Sequence, residues 1–595
     1  MPDSPRPFPV PPEQPSPDRL DSWKDIASYL GREVRTVQGW EKTEGLPIHR
    51  HQHARQGSVY AFKSELDVWR KRRASVPETP SPVLAEPEKT VPVVAEPEVL
   101  PARKSSKLPW IGAAAAVVLL IAVGIVFWLR QRNSSSAPAS VAVLPFADYS
   151  PNKDQEYFSD GLTEEIIDAL SRVPNLHVVA RTSAFQFKGK AADIREIGRK
   201  LNVDSVLEGS VRKSGDEVRI TAQLNRVSDG YHLWSRTYDR QMRDIFALQH
   251  EISQAIADQL GGGRVSRREP TSDMEAYRLY QEGRHFFNQF DTLTAYPKAI
   301  ERFQMAVARD PNFALAYSGM ADAYAYEAEN FSSPPKEVMP KAKAAAEKAV
   351  ALDPMLGEAH TSLGIVKLDY EWDFQAAERE FRRAMELNPG SGYGVHWLGH
   401  ALEAQCRVEE AIEQFRKALA LDPLSIPIYW DLAGDLVQTK RYDEGIALTK
   451  KSRELFPENA ILTADEIGIY VQMHDIRTAR KLRDAWKPPP ELLNSPQLIA
   501  ADGMLAALEG NLTAGRKALD QVEEMRKTQH VEEAAVLGLC HALSDRACVM
   551  TWLQRAYDNR SSSLPYVRVY TPEFIAGIPE AQALIERALG PAGKK

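Results

Sequence analysis

A repeated proline spacing in the C-terminal half constrains this chain more than any other feature. Similar helical patterns end at Pro311, Pro354, Pro389, Pro423 and Pro457, which are separated by 43, 35, 34 and 34 residues. A period near 34 residues is typical of stacked helix-turn-helix units, in which each unit buries its apolar face against the next. We therefore expect the C-terminal half to fold as an all-α solenoid.

The residues between these prolines resemble the tetratricopeptide repeat (TPR). In the repeat that ends at Pro423, the packing positions of that family hold Leu398, Gly399, Leu402, Ala411, Phe415 and Ala418. The resemblance predicts a TPR array over residues 272–590, with about eight units and an insertion around residues 330–340. Such arrays bind a peptide or a partner helix on their concave face, so a protein or peptide partner is expected.

Four side chains are candidates for that concave face. Their phase in the first helix of each repeat predicts that His396, His400, Tyr429 and Asp431 line the groove. His396 and His400 are one helical turn apart, which is also the spacing of zinc-binding pairs. The glutamate that a metalloprotease places between such histidines is missing, so the groove interpretation is preferred and no metal is predicted.

An uncharged segment separates the two halves of the chain. Residues 108–129 read LPWIGAAAAVVLLIAVGIVFWL, and these 22 residues are about the length that a helix needs to cross ~30 Å of hydrocarbon. The segment predicts a transmembrane helix; the alternative is a buried core helix. Arg103, Lys104 and Lys107 precede it and two arginines follow it. The positive-inside rule therefore favours a bacterial inner-membrane protein with a cytoplasmic N-terminus and C-terminal domains on the other side.

A small basic domain is predicted over residues 21–75, between a proline-rich tail (1–20) and a proline-rich linker (76–107). Its apolar periodicity indicates two short helices followed by a hairpin and a third helix. This order resembles the winged helix-turn-helix of the MerR/excisionase superfamily, in which the second helix and the wing contact DNA.

The resemblance assigns DNA contacts to seven residues. They are Arg35, Thr36, Gln38 and Lys42 in the second helix and Arg50, His51 and Arg55 in the wing. Such side chains suit phosphate and base-edge contacts. Two alternatives are weighed: the charges are a solvated face on a small protein-binding bundle, or the two-residue period of the wing histidines forms a metal site. No cysteine or carboxylate at ligand spacing supports the metal.

Alternating strand and helix patterns over residues 141–260 predict an α/β domain. Four blocks occur in order: VAVLPF, YFSDGLTEEII, LEGSVRKSGDEVRITAQL and HLWSRTYDR. Together they resemble the TolB-like amino-terminal domain, which accompanies cyclase, CadC-type regulator and TPR modules in bacteria. The resemblance implies an accessory domain that binds a protein or a signal.

Catalytic motifs are missing from the sequence. It contains no P-loop, no His-Glu-x-x-His and no Gly-x-Ser-x-Gly. Ser210 and Lys213 imitate a nucleophile pair, but on a strand their side chains point to opposite faces. The chain is therefore predicted not to be an enzyme and to need no cofactor. Cys540 and Cys548 are expected to be buried free thiols rather than a pair.

The predicted fold class is multidomain: a small winged helix-turn-helix, one transmembrane helix, an α/β TolB-like domain and an all-α TPR solenoid. This order resembles CadC-type regulators, although the DNA-binding class looks MerR-like rather than OmpR-like. The sequence thus predicts a membrane-tethered transcriptional regulator that binds DNA and a protein or signal, with homodimerisation a possible requirement of paired half-sites. The alternative is an envelope scaffold that uses its repeats to bind proteins.

Overall fold

The computed structural model describes residues 18–20, 22–32, 34–43, 46–50, 59–74, 138–289, 294–329, 333–490 and 492–590. The chain divides into two compact units, Met1–Ala116 and Val117–Lys595. Each unit is described by itself. We call them the N-terminal unit and the C-terminal unit.

The N-terminal unit contains three helices and a small antiparallel sheet in its described residues. In chain order the elements are β1 (Arg19–Leu20), α1 (Trp23–Leu30), α2 (Val34–Thr43), β2 (His49–Arg50), β3 (Val59–Phe62) and α3 (Lys63–Ala74), with β3 between β1 and β2. Ser22 caps α1 by accepting a hydrogen bond from the Asp25 amide, and Gly31 ends it in the left-handed conformation (φ 64°). The turn to α2 is therefore tight.

One apolar core holds these elements together. Ile26 and Leu30 from α1 pack with Val37 from α2, Val59 from β3 and Leu66 from α3, and all five side chains are buried. Their spacing follows the helical and strand periods of the sequence, so one face of each element is apolar. The opposite face of α2 is left to solvent.

The C-terminal unit begins with a six-stranded mixed sheet. Its elements are β4 (Ala139–Val143), β5 (Ala147–Asp148), α4 (Glu156–Ser171), β6 (Leu176–Val178), α5 (Arg181–Phe185), α6 (Ile194–Leu201), β7 (Ser205–Ser214), β8 (Glu217–Arg226), β9 (His232–Gln241) and α7 (Ile245–Gln259). The strand order is β6-β4-β7-β8-β9, with β5 also paired to β7. The first strands run parallel to their neighbours, whereas β7, β8 and β9 form an antiparallel meander.

Apolar side chains cover both faces of this sheet. Val141 and Val143 of β4 point to the face that is covered by α4 and α7, whereas Ala142 and Leu144 belong to the core on the other face. Leu424, from the helical array, joins that second core. The sheet and the array therefore share buried apolar surface, which explains why they form one compact unit.

The rest of the C-terminal unit is helical. Within the described residues it comprises eight helix pairs and three short C-terminal helices. The pairs are α8 (Met274–Phe287) with α9 (Ala295–Arg309), α10 (Ala314–Glu329) with α11 (Pro335–Leu352), α12 (Gly357–Val366) with α13 (Phe374–Leu387), α14 (Gly392–Ala404) with α15 (Val408–Leu421), α16 (Ile426–Gln438) with α17 (Tyr442–Leu455), α18 (Ile461–Gln472) with α19 (Ile476–Ala485), α20 (Pro496–Leu508) with α21 (Leu512–Met525), and α22 (Glu533–Ala542) with α23 (Arg546–Asn559); α24 (Leu564–Tyr570), α25 (Pro572–Ile575) and α26 (Pro579–Leu589) follow.

A glycine in the first helix of a pair lets the second helix approach. Gly399 of α14 lies against the ring of Phe415 in α15, and Gly364 of α12 lies against Phe381 in α13. A Cβ atom at either glycine would overlap the aromatic ring. The 34-residue period therefore repeats a close helix contact as well as a turn.

The sheet domain contacts the array at two equivalent turns, and we call this contact the docking edge. It consists of Ser171 and Ser183 from the helices of the sheet domain and Asn388 and Asp422 from the array. The Ser171 hydroxyl donates to Oδ1 of Asn388 over 2.8 Å, and the Ser183 amide donates to Oδ1 of Asp422 over 3.1 Å. Asn388 and Asp422 each precede a repeat proline and are 34 residues apart. All four side chains are buried.

One cysteine prediction is wrong. Cys540 of α22 and Cys548 of α23 form a disulfide, with their Cα atoms 5.5 Å apart. The short turn between the two helices brings the cysteines to facing positions, within the range of Cα separations that a disulfide requires. Cys406 is the free cysteine.

The predicted fold class and membrane localisation require correction. None of the helices in the described ranges is both long enough and apolar enough to span a membrane. The segment at 108–129, on which the inner-membrane prediction rested, lies outside the described residues. The architecture that the described residues support is a mostly helical, TPR-like solenoid with a smaller sheet region.

Candidate functional site

The exposed face of α2 carries the predicted DNA contacts that the structure describes. Arg35 and Thr36 are exposed and Gln38 is partly exposed, whereas Val37 between them is fully buried. Val37 anchors the helix on the core, so its neighbours project away from the unit. Lys42 lies near the end of the same helix.

The predicted wing is described only at its base. Arg50 ends β2, whereas His51 and Arg55 lie outside the described residues. His49, which precedes them, donates a hydrogen bond from Nε2 to the Glu65 carboxylate over 2.7 Å, and its ring stacks on Tyr60. These contacts orient the His49 ring, and 40% of its side chain stays exposed.

A large cavity lies within the C-terminal unit, between the sheet and the array. Its volume is about 2340 Å³, and both the docking edge and the first helices of several repeats line it. Three of the four predicted groove residues, His396, His400 and Asp431, are in its wall. We call His396, His400, Glu403, Asp431 and Asp435 the cavity floor.

Two histidines and a carboxylate meet on the cavity floor. His396 Nε2 lies 2.6 Å from Asp431 Oδ2, and His400 Nε2 lies 3.4 Å from the same oxygen. The helical spacing puts both imidazoles on one face of α14, and α16 of the next repeat supplies the carboxylate. The three side chains are largely buried.

Opposing effects set the charges of this group. Burial alone would raise the pKa of Asp431, but the contacts with His400 and His396 outweigh it and lower that pKa. Burial also opposes a charge on His400, yet Asp431 and Glu403 raise the pKa of His400 well above its usual value. Burial lowers the pKa of His396. The arrangement near neutral pH is therefore a neutral His396 beside a charged pair of His400 and Asp431.

A second layer of acids lies behind His400. Glu403 Oε2 is 2.7 Å from His400 Nδ1, and the Tyr570 hydroxyl contacts both Glu403 and Asp435. Burial, followed by the charge of Glu403, raises the pKa of Asp435 to about 11, so Asp435 holds a proton. The protonated carboxyl of Asp435 shares a hydrogen bond with the Glu403 carboxylate. The floor thus carries more acid groups than its histidines can neutralise.

Three further acids line the cavity around this floor. Burial raises the pKa values of Glu329 and Asp465 to about 7 and that of Asp369 well above its usual value. Glu329 interacts electrostatically with His400 and Asp431, and its Oε2 atom is buried without a hydrogen-bond partner. These groups come from three other segments of the array, so no local pattern in the sequence identifies them.

Tyr429 occupies a different place from the other predicted groove residues. It is buried away from the cavity wall, where its hydroxyl donates to the Pro423 carbonyl over 3.2 Å. The next residue, Trp430, lines the cavity and keeps 55% of its surface exposed. Consecutive residues are about 100° apart around a helix, so an error of one residue in the predicted helical phase assigns Tyr429 to the cavity face instead of Trp430. Trp430 is a candidate contact that sequence reasoning missed.

The opposite wall of the cavity is held by ion pairs between the sheet and the first repeat. Arg284 of α8 contacts Glu164 of α4 through its guanidinium, with Nε 3.0 Å from Oε1. Arg181 lies 3.4 Å from the second oxygen of the same carboxylate. Paired in this way, these charges stabilise the contact and are less available to a ligand than the floor is.

Two family models match the C-terminal unit. Residues 137–255 match the second domain of HilA/YgeH-like transcriptional regulators. Residues 393–425 match the tetratricopeptide repeat, which confirms the TPR prediction. The sheet domain is therefore similar to a domain of transcriptional regulators, and this match takes the place of the TolB-like resemblance.

Curated relatives of this chain carry two different names. The transcriptional regulator HilA of Salmonella typhimurium is 24% identical over 290 residues, which are 48% of this chain and 51% of that protein. A Rhizobium meliloti protein named "Putative adenylate cyclase 3" is 41% identical over 191 residues, 31% of this chain and 32% of that protein. The chain thus spans from about a third to about half of these relatives.

Solved structures resemble parts of the array. A thermophilic TPR protein of Thermus thermophilus is 17% identical and aligns with 33% of this chain and 99% of its own length, with a TM-score of 0.29.

Proposed function

We propose that this chain is a DNA-binding transcriptional regulator whose activity responds to a protein or peptide partner bound by its TPR array. The observation that carries the proposal is the match of residues 137–255 to the second domain of HilA/YgeH-like transcriptional regulators. The chain also contains a separate N-terminal unit with two helices joined by a tight turn. A sheet domain of this kind in one chain with a helix-turn-helix suits a regulator better than an enzyme.

The surface of α2 supports DNA binding by the N-terminal unit. Arg35 and Thr36 are exposed on the helix that would enter the major groove. Arginine can bond guanine edges in a bidentate manner, and a threonine hydroxyl can bond bases or phosphates. Lys42, Arg50, His51 and Arg55 would add phosphate contacts along the helix and the wing. The MerR-like class of this unit remains part of the proposal.

The cavity supports partner binding by the array. TPR arrays bind proteins through the inner face of their first helices, and here that face combines the exposed Trp430 with several carboxylates. Aromatic side chains are common anchors in protein interfaces. An ordered sheet domain at the docking edge would hold the array in one arrangement, and a partner in the cavity would contact both.

DNA binding can be tested with the full chain and a pool of genomic DNA fragments. The fragments that the chain binds are selected at a series of salt concentrations. The wild type is expected to enrich a defined sequence and to lose affinity steeply as salt rises, because phosphate contacts release counterions. Arg35→Ala with Thr36→Ala is expected to weaken binding to the selected sequence by at least about tenfold relative to random DNA.

Lys24→Ala is the matched control, because Lys24 is an exposed cation of the same unit but lies on α1. It should reduce affinity for all sequences to a similar, small extent and leave the preferred sequence unchanged. Two outcomes would contradict the proposal. In one, the wild type and the α2 double variant enrich the same sequence equally; in the other, the folded wild type enriches no sequence at low salt.

A further inference from the structure

The cavity floor has the composition and spacing of a metal site, which neither the DNA-binding proposal nor partner binding requires. The donor atoms of His396, His400 and Asp431 all lie within 4.8 Å of one another. It is the one such group of three or more ligating side chains in the part of the chain that the structure describes. We propose that His396, His400 and Asp431 bind a divalent transition-metal ion of the zinc class.

One of the donor separations matches the distance between donors around a tetrahedral ion. Bonds of about 2.0–2.1 Å at tetrahedral angles place donor atoms roughly 3.3 Å apart. His400 Nε2 and Asp431 Oδ2 are 3.4 Å apart, which fits this value. His396 Nε2 is 2.6 Å from the same oxygen, so an ion would replace this hydrogen bond and widen the distance by a small side-chain rotation. The ion would also displace the proton on His400 Nε2 to solvent, because a ligating imidazole nitrogen carries no proton.

The imidazole of His400 is oriented as metal-binding histidines usually are. Its Nδ1 atom is 2.7 Å from the fully buried Glu403 carboxylate, which leaves Nε2 directed at Asp431. A carboxylate behind a ligating histidine fixes the tautomer and raises the basicity of the ligand. Phe415 packs edge-on against both histidine rings, with centroids 5.6 and 5.3 Å away. The two rings are therefore held in place before any ion binds.

A comparison within the array shows what distinguishes the floor from an ordinary buried histidine. His360 of α12 is also buried and pairs with one carboxylate, Glu380, over 2.6 Å. Its other ring nitrogen lies 3.0 Å from the Pro354 carbonyl. Both nitrogens of His360 are thus engaged by the protein, and no second histidine lies beside it in the described contacts. The floor differs from this arrangement because two histidines, His396 and His400, meet at one carboxylate oxygen of Asp431.

The surroundings favour a cation of high charge. Glu329 and Asp369 line the same cavity, and each interacts electrostatically with His400. One oxygen of Glu329 is buried without a hydrogen-bond partner, which leaves an oxygen donor in the same cavity. Two imidazoles with carboxylate oxygens suit zinc and related first-row ions better than magnesium or calcium, which prefer oxygen alone.

A bound ion would join two neighbouring repeats. The histidines belong to α14 and the carboxylate belongs to α16, so the ion would cross the boundary between two helix pairs. Trp430 precedes the ligand Asp431 and faces the cavity. The ion would therefore stabilise the centre of the array and fix the wall to which a partner binds.

The test uses the full chain, purified without a polyhistidine tag and treated with a chelator. Equilibrium dialysis should show one bound Zn²⁺ ion per chain that is lost when the floor residues are substituted. Added Zn²⁺ should also raise the midpoint of thermal unfolding by about a few degrees. Co²⁺ in place of Zn²⁺ should give visible absorption bands of a nitrogen- and oxygen-ligated ion. His400→Gln and Asp431→Asn, which preserve side-chain size, should each weaken Zn²⁺ binding by at least about tenfold and abolish the thermal shift.

His360→Gln is the matched control, because it changes a buried histidine of the same array outside the proposed site. This variant should bind Zn²⁺ as the wild type does. Circular dichroism of each metal-free variant separates loss of the site from loss of the fold. Zn²⁺ binding that is unchanged in both floor variants would place the ion elsewhere, for example on the histidines at 49, 51 and 53, and would overturn the proposal. No binding by the folded wild type would overturn it as well.

Discussion

The docking edge and the cavity floor are both buried polar clusters built on the same repeat framework, but their hydrogen bonding differs. At the docking edge, the Ser171 hydroxyl donates to Asn388, whose amide donates to Asp168 over 2.9 Å. Ser183 donates to Asp422 and accepts from the Leu424 amide over 2.7 Å. Each polar group has a partner within the chain. The edge has the character of a structural contact.

Around the cavity floor, by contrast, not every buried polar atom has a hydrogen-bond partner of its own. One oxygen of Glu329, which lines the same cavity, is buried without a hydrogen-bond partner, and His396 and His400 both contact one oxygen of Asp431. Unpaired buried polar groups are costly to a folded protein, so such groups call for an explanation other than stability. The difference teaches that burial alone does not identify a site: the unsatisfied cluster is the one that is suited to a ligand.

Removing the acceptor at the docking edge should have the largest effect on stability. Asp422→Ala leaves the buried amide and hydroxyl of Ser183 without their acceptor, and we expect a loss of about 3 kcal/mol in the free energy of unfolding. Thermal and urea unfolding of the full chain, followed by circular dichroism, measures it. Asp422→Asn keeps an acceptor at Oδ1, and the preceding repeat already has Asn388 at this position, so this variant should unfold like the wild type. If the two variants were equally destabilised, the edge would depend on charge rather than on hydrogen bonding.

The wall of the cavity should respond to pH. Burial raises the pKa of Asp322 to about 6, although its Oδ1 accepts from the Ser362 hydroxyl over 2.6 Å and Arg284 is nearby. The folded chain therefore binds this proton more tightly than the unfolded chain does. The stability that Asp322 contributes is fully present below about pH 3.8 and is lost as the pH rises through about 6.

Asp322→Asn keeps the acceptor for Ser362 and removes the charge. We expect it to stabilise the chain by about 2 kcal/mol at pH 8 and to have little effect near pH 4. Unfolding midpoints from pH 4 to pH 8 measure this, with Asp520→Asn at an exposed position as the control. A stability difference between Asp322→Asn and the wild type that stays constant across this range would contradict the prediction, because it would show that burial does not shift the pKa of this carboxyl to about 6.

The regular parts of the fold are those that the sequence predicts best. The proline period and the helical periodicity identify the array, and the spacing of His396 and His400 puts both on one face of a helix. Asp431 follows from its phase in the next repeat. These inferences succeed because each depends on residues that are near in sequence or are related by the repeat.

Contacts between distant segments are not predictable in this way. Ser171 and Asn388 are 217 residues apart, and nothing in the neighbourhood of either residue indicates the other. Glu329 likewise reaches the cavity from a different repeat than the histidines. Tyr429 and its neighbour Trp430 show a second limit, because the phase of a helix is known from sequence only to within about one residue. The transmembrane prediction rested on the length, composition and flanking charges of residues 108–129, and no described helix supports it.

The smallest of the expected stability effects lies beneath the floor, where Gly399 separates α14 from Phe415. Gly399→Ala puts a Cβ atom into the ring of Phe415, which packs against both His396 and His400. Overpacking costs about 1–3 kcal/mol and alanine returns up to about 1 kcal/mol of helix propensity, so a net loss of about 1 kcal/mol is expected. Gly468→Ala in α18 is the control, because that position is exposed and has no atom within 4 Å of the added Cβ. It should gain up to about 1 kcal/mol.

Because Phe415 holds the two imidazoles, Gly399→Ala should also weaken Zn²⁺ binding while the docking edge keeps its stability. If Gly399→Ala lost stability but bound Zn²⁺ as the wild type does, the packing of α14 would not control the geometry of the floor.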